Sequence, residues 1–279
     1  TMSIMARARA KDPKQGYAID FVSSVLKLNL RQIAEQKVKI LSNAGGVNPE
    51  ACAESIRELI AEQKLDLKVA VVLGDDLVNR KNEFDDKKEM YSDIDFPNKD
   101  KIASINAYLG AFPIAEALKD GADIVITGRS VDSAVTLAAC IYSFGWSNSD
   151  YNKLASGSLA GHIIECGTQS TGGNFTDWEL VSENLHQIGY PIVEIENSGE
   201  FNCMKSQKTS GLVSFGTVAE QMLYEIGDPQ AYILPDVICD FSQVKIKELD
   251  KDVVRITGAN GYPAPKQYKV CATYADGFR

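Results

Sequence analysis

Three short apolar runs constrain this chain more than any other feature. They are Val38-Lys-Ile-Leu-Ser-Asn43, Leu67-Lys-Val-Ala-Val-Val-Leu73 and Ala122-Asp-Ile-Val-Ile-Thr127. Each is rich in β-branched residues, ends in turn residues, and belongs to a pattern in which strand-like runs give way to segments of helical period. A strand that is apolar without alternation must be covered on both faces, and crossover helices supply that cover for parallel strands. The first two thirds of the chain therefore predict an α/β domain over residues 1–189. We expect a mostly parallel sheet with flanking helices, in a Rossmann-like arrangement.

The helices can be placed from the same pattern. Asn48 can cap a helix over 49–63, with Pro49 where a missing amide proton costs nothing and Cys52, Ile56, Leu59 and Ile60 on one face. Ser130 or Asp132 can cap another, carrying Val131, Val135, Ala138 and Ile141 on a stripe that stops at Gly145. Residues 107–119 and, less regularly, 17–36 predict two more. The charge-dense stretch 79–100 reads as an exposed loop or lid, or as a solvated insertion without a role. Beyond residue 190 the texture turns to short alternating runs, such as Ile192-Val-Glu-Ile-Glu196 and Asp252-Val-Val-Arg-Ile-Thr257. A smaller α+β or β-rich region over 190–279 is expected, continuing past the last residue given. Within it, Thr217 and Glu220 suggest a capping box for a helix over 217–226 closed by Gly227.

Composition excludes some functions. With a net charge of −9 and scattered Lys and Arg, the chain offers no cationic stripe for nucleic acid and little attraction for an anionic membrane surface. No apolar run approaches the ~20 residues of a membrane span, and no signal-peptide pattern opens the chain. The expected location is cytoplasmic, or the mitochondrial matrix if a targeting segment precedes the given residues. Six cysteines without a Cys-x-x-Cys pair read as reduced, mostly buried thiols.

Ligands collect at the carboxyl ends of parallel strands, so the residues after each run are candidates. After the first come Asn43, Gly45 and Gly46, whose glycines permit close backbone approach but match neither a dinucleotide fingerprint nor a P-loop. After the second come Asp75 and Asp76, potential hard-oxygen ligands or general bases. After the third comes Arg129, able to clamp a carboxylate or phosphate, or simply to pair with Asp132 or an Asp of a neighbouring loop. The segment 157–178 is the most concentrated. His162, Glu165 and Cys166 share one face if helical, as an acid/base group with its carboxylate, a nucleophile site, soft-metal ligands, or a structural histidine beside an inert thiol. Gly157 and Gly161 read as packing residues. Gly172, Gly173, Asn174 and Asp177, flanked by Phe175 and Trp178, read as a pocket wall, or as a turn with Trp178 in the core. The candidate catalytic residues are His162, Glu165 and Asp132. The candidate ligand-binding residues are Asn43, Gly45, Gly46, Asp75, Arg129, Gly172, Gly173, Asn174 and Asp177. No metal site and no resident cofactor are expected.

The segments GADIVITGR, DSAVTLA, SGSLAGHIIECGTQSTGGNFTDW, GTVAEQMLYEIGDPQAYILPDV, DFSQV and TYADGFR together resemble the acyclic terpene utilisation protein A family. The resemblance runs from Ala6 to the last residue. It implies a role in breakdown of acyclic isoprenoids such as citronellol and geraniol, through branched acyl-CoA esters and an acyl-CoA carboxylase, and it implies further chain at both ends. The resulting expectation is an enzyme acting on a branched acyl-CoA or related acid next to a carbonyl, with a CoA thioester as substrate and a homo-oligomeric state. The alternatives are a non-catalytic acyl-CoA-binding or assembly subunit associated with the carboxylase machinery, and a metal-dependent hydrolase or lyase.

Overall fold

The computed structural model describes residues 1–277, so the last two residues of the Thr-Tyr-Ala-Asp-Gly-Phe-Arg motif lie outside it. The chain forms two compact units, residues 1–131 with 267–279, and residues 132–266. The change of texture near residue 190 marks the first strand of the second unit, which starts at Pro191.

In the first unit, helix α1 (Met2–Lys11) is followed by a π-wound turn (Phe21–Leu26) running into α2 (Lys27–Gln36). Strand β1 (Ile40–Ser42), helix α3 (Pro49–Glu62), strands β2 (Val69–Val72) and β3 (Ile102–Ala107), helix α4 (Phe112–Lys119) and strand β4 (Ile124–Thr127) follow. The parallel sheet has three strands in the order β1-β4-β2, with Ile124 opposite both Ile40 and Val69. Its middle strand β4 is buried throughout, as its unbroken apolar run requires. Leu26, Leu30, Cys52, Ile56, Ile124 and Ile126 form the core on one side of it. β3 takes an antiparallel partner instead, Val270–Tyr274, with Asn106 opposite Cys271. The architecture is thus mixed α/β with a small parallel sheet, not a clear Rossmann-like one, because β3 leaves the parallel set for a strand far away in sequence.

The stretch 79–100 holds two short 3₁₀ turns, Val78–Phe84 and Lys99–Lys101, laced by surface pairs such as Arg80–Glu83 and Lys99–Asp85. Its lysines and acids mostly neutralise one another.

The second unit is built around α6 (Tyr151–Glu165), which packs on α5 (Ala134–Phe144). Ser133 occupies the position before α5 without a side-chain capping bond, and Ser130 Oγ makes no hydrogen bond among the described residues; Gly145 ends the helix in a left-handed conformation at φ 67°. The close packing explains two glycines. A Cβ on Gly157 would lie 2.8 Å from Leu137 Cδ1, and one on Gly161 would lie 2.7 Å from the Ser133 carbonyl oxygen. Strands β5 (Pro191–Ile195) and β6 (Phe201–Lys205) precede α7 (Phe215–Leu223). Strands β7 (Tyr232–Ile233), β8 (Ile238–Asp240), β9 (Lys245–Asp250), β10 (Val253–Thr257) and β11 (Asn260–Tyr262) complete two antiparallel sheets, β5-β6-β10-β9 and β11-β8-β7. The expected capping box is displaced: Ser214 and Thr217 exchange the reciprocal bonds, and α7 starts two residues earlier than the spacing suggested. The left-handed residue after it is Glu225 at φ 61°, not Gly227.

Candidate functional site

The first unit gathers polar residues at the carboxyl edge of its parallel sheet. Asp75, just past β2, is 3% exposed. Its Oδ2 accepts the Arg129 backbone N–H at 2.7 Å and the Asn106 side-chain amide at 2.9 Å. Gly128 is required there, because a Cβ would overlap the Asp75 carboxylate. Burial pushes the Asp75 carboxyl above its ordinary value, and the two N–H donors pull in the other direction. Asn106 Oδ1 and Ser130 Oγ are buried without a hydrogen-bond partner among the described residues. Arg129 lies over the Tyr108 ring at 4.3 Å, and Lys269 Nζ is 5.6 Å from the same ring. Asp76 points elsewhere and pairs with Arg9 at 3.2 Å.

Asn43 lies in the turn after β1, its carbonyl accepting the Gly46 N–H at 3.2 Å. The glycines beside it serve the chain's own packing. A Cβ on Gly45 would strike the Thr127 carbonyl, and one on Gly46 would strike Met5. Sequence reading missed Asn106, Tyr108 and Lys269. Their only signal is the alternation of Gln267-Tyr-Lys-Val-Cys-Ala-Thr273, which does not name β3 as its partner.

The second unit holds the candidate acid/base residues at the end of α6. His162 Nδ1 is 3.1 Å from Glu165 Oε1, with side-chain exposures of 3% and 13%. The three-residue spacing places both on one helix face, as expected. His162 Nε2 is buried and has no hydrogen-bond partner among the described residues. Gln221 of α7 donates to the His162 carbonyl at 2.9 Å, tying α7 to this turn. The Tyr232 ring lies 6.1 Å from the imidazole. Burial pushes its hydroxyl up to about 12, with the carboxylates of Glu165, Asp132 and Glu225 adding to the push. Burial likewise raises the Cys166 thiol, against a Gln221 hydrogen bond and reinforced by Glu165, Glu225 and Asp132. Asp132 is thus close enough to this region to contribute to both shifts. A thiol held protonated is a poor nucleophile, so Cys166 does not suit that role.

The glycine turn starts buried at Gly172 and is exposed at Gly173. Gly172 adopts φ 105° against Val181, and a Cβ on Gly173 would lie 2.6 Å from Thr168 Oγ1. Asn174 and Asp177 are exposed, and Trp178 at 60% exposure is not in the core. The Thr176 N–H donates to Glu220 at 3.1 Å, and Phe175 packs against Gly216.

Among the described residues, no group of three or more His, Cys, Asp and Glu side chains is arranged to hold a metal ion. All six cysteines are free thiols, four of them buried. No helix of the described residues is long and apolar enough to cross a membrane. A groove of about 620 Å³ follows the open edge of β2, lined by Val69, Val71, Pro113 and Glu116 among others, and contains none of the candidate catalytic groups.

A family model described as acyclic terpene utilisation family protein AtuA matches residues 1–279, the whole chain. No curated protein and no solved structure matches it.

Proposed function

Because the chain belongs to the acyclic terpene utilisation family, we propose that it is an enzyme of acyclic terpene and isoprenoid breakdown, acting by acid/base chemistry next to the carbonyl of a branched acyl-CoA thioester or related acid. The observation that carries this reading is the His162–Glu165 pair. One ring nitrogen is oriented by a carboxylate at 3.1 Å, and the other is buried and uncommitted. A carboxylate on Nδ1 fixes the ring and stabilises the imidazolium that forms when Nε2 takes a proton. The paired nitrogen holds the geometry, and the unpaired one does the work.

Separately, Arg129 in the first unit, stacked on Tyr108 with Lys269 beside the same ring, suits recognition of a carboxylate or phosphate. A CoA thioester carries such phosphates. The test is turnover of a panel of branched and isoprenoid acyl-CoAs by the full chain, with product analysis. We expect consumption by the wild type and loss of it in His162→Gln at unchanged melting temperature. Binding without turnover, unaffected by His162→Gln, would sink the enzyme reading.

One observation favours a second reading, an assembly subunit or homo-oligomer. Trp178, Leu180, Leu185 and Tyr190 expose large apolar side chains within thirteen residues, at 60%, 69%, 47% and 72%. Clustered exposed apolar residues mark interaction surfaces. Analytical ultracentrifugation of the wild type and a Trp178→Glu/Leu180→Glu variant decides between self-association and none: a monomeric wild type removes the homo-oligomer.

A further inference from the structure

We propose that Ser158 is the catalytic nucleophile served by His162, so that Ser158, His162 and Glu165 act in sequence along one face of α6 in transferring an acyl group from a thioester; this rests on the acid/base reading of the His162–Glu165 pair. The three residues stand at i, i+4 and i+7, which on a helix of 3.6 residues per turn places them within about 60° of one another. Helical side chains lean toward the N-terminus. Glu165 accordingly reaches back to His162 at 3.1 Å, and Ser158 stands one turn before His162 on the same helix.

Two side-chain atoms carried by this helix face, His162 Nε2 and Ser158 Oγ, are both buried and both without a hydrogen-bond partner among the described residues. Buried side-chain donors and acceptors are seldom left so, and two on one helix face call for a common explanation. A nucleophile and its base give one, since such pairs are often too long in the unliganded state and tighten around substrate.

The covering strands fit the same reading. The Tyr232 ring lies tilted beside His162 at 6.1 Å, and the Cys239 thiol lies beside Ser158 Oγ without a hydrogen bond of normal geometry. Tyr232 and Cys239 are Cα partners across the β7–β8 pair. Burial keeps the Cys239 thiol protonated, as it does Cys166, so neither sulfur competes for the proton-accepting nitrogen. Ser158 is 1% exposed, so acylation requires the Tyr232 side of this pair to move off the helix face.

In the reaction, Ser158 Oγ attacks the thioester carbonyl while His162 Nε2 takes the hydroxyl proton. The C–S bond then breaks, and the departing thiolate receives that proton, leaving an acyl-serine and a free thiol. A water, deprotonated by the same nitrogen, attacks the acyl-serine, releases the carboxylic acid and restores Ser158. The sum is thioester plus water to acid plus thiol, with no oxidant or metal required.

The full chain would be treated with a fluorophosphonate probe and mapped by mass spectrometry, and branched acyl-CoA hydrolysis would be followed by thiol release. We expect one phosphonylated site, Ser158, lost in Ser158→Ala and formed at least tenfold more slowly in His162→Gln. Tyr232→Ala should speed it severalfold. Absence of label at Ser158 in both wild type and Tyr232→Ala overturns the proposal, and this readout needs no Ser158 variant to fold. Thiol release by a folded Ser158→Ala at the wild-type rate overturns it too. If His162→Gln abolishes turnover while Ser158→Ala does not, the nucleophile assignment fails and the acid/base reading stands; if neither variant changes turnover, both fail.

Discussion

At His162 the decisive feature is what each ring nitrogen meets. Nδ1 meets the Glu165 carboxylate and Nε2 meets no described partner, so the two nitrogens can be tested apart. Glu165→Gln keeps the volume and removes the charge that holds the ring and steadies its protonated form. Turnover should fall by about 10²-fold or more, the usual range for a lost acid/base contribution, while the melting temperature stays within a few degrees. A full-rate Glu165→Gln enzyme would show that the contact is only structural. Asp75 poses a different question at the same scale. Burial holds its folded-state carboxyl above the ordinary value, so the fold favours the protonated form. That contribution is fully present below the unfolded carboxylate value of about 4 and is lost as pH rises through the raised folded value. Asparagine can accept the same two N–H bonds without becoming charged. The melting-temperature difference between Asp75→Asn and wild type should therefore turn in favour of the variant as pH rises from about 4 to 7, and a pH-independent difference would contradict this account.

Among the elements, α6 carries the site and the glycines on it set its position. A Cβ on Gly161 meets the Ser133 backbone, which cannot rotate away, whereas one on Gly157 meets the side chains of Leu137 and Trp146. Gly161→Ala should cost about 1–3 kcal/mol as an overpacked contact and lower the melting temperature by several degrees, with Gly157→Ala milder. Equal effects would mean the helices shift freely. These elements also show what the sequence discloses. The α3 helix was legible because Pro49 and the Cys52, Ile56, Leu59, Ile60 stripe fix a start and a face by local physics. Its cap was not: Asn48 spends its side-chain amide on the Pro13 and Gln15 carbonyls. The α7 box was misread because two hydroxyls, Ser214 and Thr217, can exchange the same bonds as a Thr and a Glu. Cap chemistry is degenerate among small polar residues, and tertiary partners choose between them.

For the whole molecule, the division into units has a direct consequence. Residues 132–266 form one continuous segment with its own buried residues, including Leu154, Leu159, Val218 and Val254. Expressed alone, this segment should give a dispersed amide spectrum and a cooperative melt; a collapsed, undispersed spectrum would show that it is not autonomous. The first unit is discontinuous, since Val270–Tyr274 returns to pair with β3. That return defeated the Rossmann-like expectation, and it is why Tyr108 and Lys269 escaped notice. The two are adjacent only because the Tyr108 N–H donates to the Lys269 carbonyl at 2.9 Å, a pairing across most of the chain that no local pattern encodes. His162 and Glu165 were legible for the opposite reason, because three residues along a helix fix a contact without any knowledge of the rest. The central claim is that this pair does acid/base work on a branched acyl-CoA. Its most direct test is the steady-state rate of branched isoprenoid acyl-CoA consumption by the full chain and by His162→Gln. The account predicts turnover by the wild type and a loss of at least about 10²-fold in a variant that melts normally; equal rates, or binding of the thioester with no product from either protein, would contradict it.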